Sequence, residues 1–130
     1  MMTIGSLSKA TRVNIETIRY YERVGLLPTP ARTASGRRQY DRNDERRLNL
    51  IRHSRELGFG MPAIRTMLEL LRQPNAPCAE MIHIVEEQLA AVDERIKGLN
   101  LLRSELAGMR EGCRAGNRVA ECQIIETISV

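Results

Sequence analysis

Three cysteines carry the most specific chemistry in this chain of 130 residues. Cys78 precedes a long proline-free stretch, and Cys113 and Cys122 follow it, nine residues apart. Thiolates are soft donors and select soft metals. Three sulfurs without an evident fourth donor suit a trigonal ion such as Hg(II) or Pb(II). Cd(II) and Zn(II) prefer four ligands, which Glu121 or water would complete. A helix start is a favourable place for a thiolate, which suits Cys78, and Arg114 and Arg118 in the loop act in the same direction. Neither histidine joins the set: His53 lies well upstream, and His83 falls about 140° around a helix from Cys78. The competing chemistry is oxidation, since thiols that bind metal also react with oxidants and electrophiles. The N-terminal Met1-Met2-Thr3-Ile4 lacks the basic and long apolar regions of an export signal. An odd cysteine count without such a signal argues against a disulfide framework and for a reducing, cytoplasmic setting.

The element that positions these thiols is the stretch between them. Ala79 to Glu111 predicts one helix of about 50 Å. Apolar residues recur at Ile82, Val85, Leu89, Val92, Ile96 and Leu99, then resume at Leu102, Leu106 and Met109 after one short step. That is a coiled-coil seam with a local stammer. A lone helix cannot bury such a seam, so the pattern predicts a homodimer. Gly98 and Gly108 weaken the helix locally. Within one chain Cys78 and Cys113 stand at opposite helix ends and cannot hold one ion together. Were two such helices antiparallel, Cys78 of one subunit would meet Cys113 and Cys122 of the other, giving two sites per dimer.

The upstream half has a different character. Residues 1–76 contain fourteen Lys and Arg against seven Asp and Glu, whereas residues 77–130 contain six against nine. A basic head on an acidic tail points to a polyanion partner. Thr3 caps a first helix with Ile4, Leu7 and Ala10 on one face, and Asn14 caps a second with Ile15, Ile18 and Val24 inward. Gly25 stops the second helix, and the pair reads as a helix-turn-helix. Residues 28–40, with a Ser35-Gly36 turn, predict a small hairpin bearing Arg32, Arg37, Arg38 and Tyr40. Asp41 caps a third helix with Asp44 and Glu45 in its first turn and Leu48 and Ile51 inward; Gly58-Phe59 ends it. Pro62 opens a fourth helix with the stripe Ile64, Met67, Leu68 and Leu71. On the second helix Thr17 and Tyr20 share a face and Arg19 and Arg23 the adjoining one, which suits the major groove.

Aromatic residues make up only 3% of the chain, which favours a helical core over a β-sandwich. No apolar run is long enough to span a membrane. No Ser-His-Asp set, facing carboxylate pair or phosphate-cradling glycine loop is present, so no enzyme activity is expected.

At this point the chain is recognisable. Ile4-Gly5-Ser6-Leu7-Ser8-Lys9-Ala10-Thr11, Thr17-Ile18-Arg19-Tyr20-Tyr21-Glu22 and Gly25-Leu26-Leu27 resemble the helix-turn-helix of the MerR family of metal-responsive transcriptional regulators. Residues Arg32 to Tyr40 resemble its wing, and Ile51 to Phe59 its third helix and stop. One departure is Arg12, where the family usually has Gly. The resemblance implies DNA contacts from Thr17, Arg19 and Tyr20 in the groove, and backbone contacts from Arg37, Tyr40 and Arg55. It also supplies the antiparallel orientation of the long helices. It implies activation by DNA deformation, in which a dimer on an over-long promoter spacer realigns the elements read by RNA polymerase. The family's sensors of monovalent copper carry Ser at the position of Cys78, so Cys78 implies a divalent ion, with cysteine spacings like those of mercury- and lead-responsive members.

The expected architecture is mainly all-α. A winged helix-turn-helix DNA-binding head occupies 1–72, a linker 73–78, an antiparallel coiled-coil dimerisation helix 79–112, and a metal-binding loop with a short helix 113–130. The expected partners are double-stranded promoter DNA, a second copy and RNA polymerase, with one soft divalent ion (Hg, Pb, Cd or Zn) per site and Cys78, Cys113 and Cys122 as ligands. The alternatives are a Cu(I) regulator using only Cys113 and Cys122, and a thiol redox or electrophile sensor on the same fold. A metal-sequestering module with an incidental basic surface is the reading from a different class.

Overall fold

The computed structural model describes residues 1–113, 115–116 and 118–129, so Arg114 of the predicted loop lies outside the described residues. The chain divides into two units, Met1–Ile84 and Val85–Val130. Its elements are mostly helical, with one small two-stranded antiparallel sheet. No helix among the described residues is long and apolar enough to cross a membrane.

The first unit is built by local punctuation. Helix α1 (Ile4–Thr11) is capped by Thr3, whose side chain accepts from the Ser6 amide at 3.1 Å. Helix α2 (Ile15–Arg23) is capped by Asn14, which accepts from Glu16 N–H at 2.8 Å. Between them Arg12 takes the left-handed conformation, φ 58° and ψ 28°. The inner face of α1 is Ile4, Leu7 and Thr11; Ala10, expected inside, is exposed. Thr11 is fully buried because its hydroxyl donates back to the Leu7 carbonyl at 2.8 Å, which removes the cost of burying that group.

Strands β1 (Ala31–Arg32) and β2 (Arg38–Gln39) form the predicted hairpin, with Ala31 opposite Gln39 and Arg32 opposite Arg38. Gly36 supplies the positive φ (83°) of its turn. A feature not legible in the pattern is a bridge from Met2 to Tyr40, closed by two backbone bonds of 2.7 and 2.9 Å. It ties the start of the chain to the base of the hairpin.

Helix α3 (Arg42–Glu56) opens on a reciprocal capping box between Asp41 and Asp44. It ends where Gly58 turns at φ 86° and Phe59 N–H reaches the Ser54 carbonyl. Helix α4 (Met61–Leu71) carries Pro62 in its first turn. The core includes Leu7, Ile18, Leu26, Tyr40, Leu48, Ile51, Ile64 and Leu68. Two arginines brace it: buried Arg47 donates to the Leu26 carbonyl at 2.9 Å, and Arg65 reaches the Val24 carbonyl at 3.4 Å. They hold the chain leaving α2 against α3 and α4.

Helix α5 is continuous over Ala79–Glu111, and none of its residues is buried. The second unit continues through a 3₁₀ turn (Val119–Glu121) to the short helix α6 (Gln123–Ile128).

Arg12 bears a left-handed backbone that costs a non-glycine residue about 1–2 kcal/mol, partly offset by the greater chain entropy that glycine loses on folding. Arg12→Gly should therefore stabilise the protein by about 0.5–1 kcal/mol, read as a higher urea midpoint. A lower midpoint would show that the Arg12 side chain contributes more than the backbone strain costs.

Candidate functional site

Helix α2 carries Thr17, Arg19 and Tyr20, the set expected to enter the groove. Tyr20 is half exposed, Thr17 and Arg19 are partly covered, and Arg19 pairs with Glu16 at 3.1 Å. The Arg23 guanidinium lies over the Tyr20 ring, 5.8 Å from its centroid, a cation–π contact that restrains both side chains. Tyr21 faces inward, and its hydroxyl accepts from exposed Arg55 at 3.2 Å. Arg55 is thus drawn from α3 toward α2.

The hairpin supplies a second basic surface. Arg37 is exposed, and Arg32 steadies the turn by donating to the Gly36 carbonyl at 2.9 Å. Arg32, Arg37 and Arg38 line a cavity of about 250 Å³ beside Thr3 and Ile4, at the start of α1.

Tyr40 departs from its expected role. Only 1% of it is exposed, and its hydroxyl donates to the Glu22 carboxylate. Burial, then the hydrogen bond to Glu22, push its phenol well above the ordinary value. A buried phenol already committed to a carboxylate does not reach a DNA phosphate, so Tyr40 anchors the wing instead. Arg38 completes the anchor with an ion pair to Glu22 at 3.3 Å. Glu22 was missed as a working residue. The available signal was an acid set among the outward-facing cations of a basic head, where it repels phosphate and therefore needs an internal partner.

The thiols divide between the two units. Cys78 is exposed at the start of α5, where its carbonyl accepts from Ile82 N–H at 3.0 Å. Cys113 follows the end of α5, and Cys122 sits at the N-cap of α6. Their sulfurs are 3.3 Å apart, and both thiols are free and partly buried. Cys113 donates its S–H to Cys122, which with burial raises the Cys113 thiol above its ordinary range. Cys122 is lowered by the Ile125 amide and by that same S–H. Cys122 therefore yields its proton first. Glu121 and Arg118 are exposed nearby. Among the described residues no group of three or more His, Cys, Asp or Glu is assembled to hold an ion.

The pair nonetheless fits a soft ion. Zinc–sulfur bonds of about 2.3 Å in a tetrahedral centre, taken as the gauge for a thiolate metal, separate two sulfurs by about 3.8 Å. The pair needs to open by only about half an ångström.

Comparison with known proteins decides the family. The model of the "MerR HTH family regulatory protein" matches residues 2–71, and that of "MerR, DNA binding" matches residues 45–109. The chain belongs to the MerR family. MerR-family proteins are transcriptional regulators, not enzymes. The mercuric resistance operon regulatory protein of Bacillus cereus is 36% identical to this MerR-family chain, across 96% of it and 95% of the relative. A transcription regulator from Ralstonia metallidurans, solved in complex with lead(II), is 36% identical with a TM-score of 0.81, covering 98% of this chain and 99% of that one. The dual-function MerR of Bacillus megaterium, solved with mercury(II), is 31% identical with a TM-score of 0.77, covering 99% and 100%.

Tyr40→Phe removes a hydrogen bond to a charged acceptor and should cost about 1.5–3 kcal/mol at pH 7. Because the folded phenol is raised, this contribution is complete below the ordinary phenol pKa near 10 and is lost as pH rises through the folded value. Denaturation at stepped pH should show wild type and Tyr40→Phe converging above about pH 10. A constant gap between the two curves would contradict the assignment.

Proposed function

We propose that this MerR-family regulator binds double-stranded promoter DNA as a homodimer and activates transcription when a soft divalent ion joins Cys78 of one subunit to Cys113 and Cys122 of its partner. The observation that carries the reading is the Cys113–Cys122 pair, two free sulfurs 3.3 Å apart beyond a helix whose apolar seam is unburied. Ile82, Leu89, Leu99 and Leu106 are each more than half exposed in the single chain. Exposure on that scale calls for a second copy. Antiparallel pairing would bring the start of one α5 to the end of the other and supply the third thiol. Similarity to regulators named for mercuric resistance or solved with lead(II) or mercury(II) supports Hg or Pb as the ion, with Cd and Zn retained on thiolate chemistry alone.

In this reading residues 1–72 are the DNA-binding head, 73–78 the linker, 79–112 the dimerisation helix and 113–130 the metal-binding loop. Thr17, Arg19 and Tyr20 enter the major groove, while Arg37 and Arg55 hold the backbone. Tyr40 acts indirectly by setting the wing. When bound, the ion supplies strong bonds to three thiolates and so links the two subunits. The chain's own part is to carry that linkage along α5 to the heads, which deform the operator so that RNA polymerase can use it. A cytoplasmic setting follows from DNA as the partner and from thiols kept reduced.

A second reading has one observation in its favour. The Cys113–Cys122 pair is complete within one chain, and two thiolates suffice for monovalent copper.

Metal titration of the reduced protein, followed by sulfur-to-metal charge-transfer absorption, separates the two. Wild type should saturate at one divalent ion per chain, and Cys78→Ser and Cys122→Ser should each lose that stoichiometry. Equal binding of Hg(II), Pb(II) and Cd(II) by Cys78→Ser would sink the three-thiolate site and leave the copper reading.

Dimerisation has its own test. Leu89→Glu places a charge in the seam and should weaken self-association by about 1.5–3 kcal/mol per copy, more than tenfold. Sedimentation showing an unchanged dimer would place the interface elsewhere.

A further inference from the structure

The two sulfurs of the C-terminal unit do not need a third thiol to react. Cys113 and Cys122 stand 3.3 Å apart, unbonded, and both retain some solvent access. A disulfide requires about 2.05 Å, so each sulfur has only about 0.6 Å to travel. The backbone around Cys122 is held for this approach. Its N–H donates to the Val119 carbonyl at 3.0 Å, and its carbonyl accepts from Glu126 N–H at 3.3 Å. Cys78 belongs to the other unit and has an exposed thiol at the start of α5.

The geometry points to a modification site: hydroperoxides oxidise the Cys113–Cys122 pair to an intrachain disulfide, which withdraws it from any metal. One thiol attacks the peroxide, forming an S–O bond as the O–O bond breaks. Its sulfur is oxidised by two electrons to a sulfenic acid, and water or an alcohol leaves. The second thiol attacks that sulfur, the S–S bond forms, the S–O bond breaks, and water departs with the thiol's proton. The hydroperoxide is the only oxidant required, and it is reduced in full. The disulfide and a bound ion exclude each other because both use the same sulfur electron pairs. The site stands on the dithiol geometry alone and does not depend on the metal reading.

The test uses reduced full-length protein in chelator-treated buffer. Hydrogen peroxide is added, remaining thiols are capped with N-ethylmaleimide, and intact mass is measured. One adduct per wild-type chain, none on Cys78→Ser, and a linked Cys113–Cys122 peptide reversed by dithiothreitol are expected. Cys113→Ser should show no intrachain link. Three adducts on the oxidised wild type, or covalent dimers joined through Cys78, would overturn the proposal. Preloading with mercuric chloride should slow the link at least tenfold. If the link forms at the same rate with mercury present, the metal assignment falls while the disulfide stands.

Discussion

The carboxylate of Glu22 joins the two parts of the head that have to act together. It projects from α2, the helix that carries Thr17, Arg19 and Tyr20, and takes the Tyr40 hydroxyl and the Arg38 guanidinium from the hairpin. Its side chain is only 11% exposed, so its charge is largely removed from water and depends on those two donors. Through them α2 and the hairpin that bears the arginines are tied together. The placement of the hairpin against α2 is thus set by an internal acid–phenol–cation cluster.

Around that cluster the head is held by groups that finish what the helices leave open. Thr3, Asn14 and Asp41 satisfy amides at three helix starts. Arg47 and Arg65 reach the carbonyls at the exit of α2. The Met2–Tyr40 bridge adds a backbone lock on the hairpin base. Against these, Arg12 is a strained position that the fold tolerates, since the α1–α2 turn needs a left-handed residue whether or not glycine provides it.

The second unit follows another logic. Helix α5 buries none of its side chains, yet its apolar residues follow a coiled-coil period. That exposed seam is what supports the proposed homodimer. Beyond it two sulfurs meet and the first amides of α6 turn toward them, so the pair is electrostatically unequal: the Cys113 thiol is raised and the Cys122 thiol lowered. That inequality bears on both proposals for the pair, a soft metal and oxidation, because both draw on the same two sulfurs.

Much of this was legible in the chain itself. Helix starts and stops, the hairpin turn, the α5 boundaries and the seam follow from caps, glycines, prolines and periodicity, which act over a few residues. The family followed from Thr17-Ile18-Arg19-Tyr20-Tyr21-Glu22 and the wing. The role of Tyr40 was not legible, because its phenol reads the same facing a phosphate or a buried acid. Only the path of the chain brings it against Glu22, eighteen residues away. Thr11 displaced Ala10 from the core for a similar reason, since a hydroxyl that can return its proton to Leu7 is as buriable as a methyl group. The nine-residue spacing of Cys113 and Cys122 made a shared site conceivable. The 3₁₀ turn and α6 decided their 3.3 Å separation and which sulfur ionises first, because distance and local field are properties of the folded backbone and not of spacing.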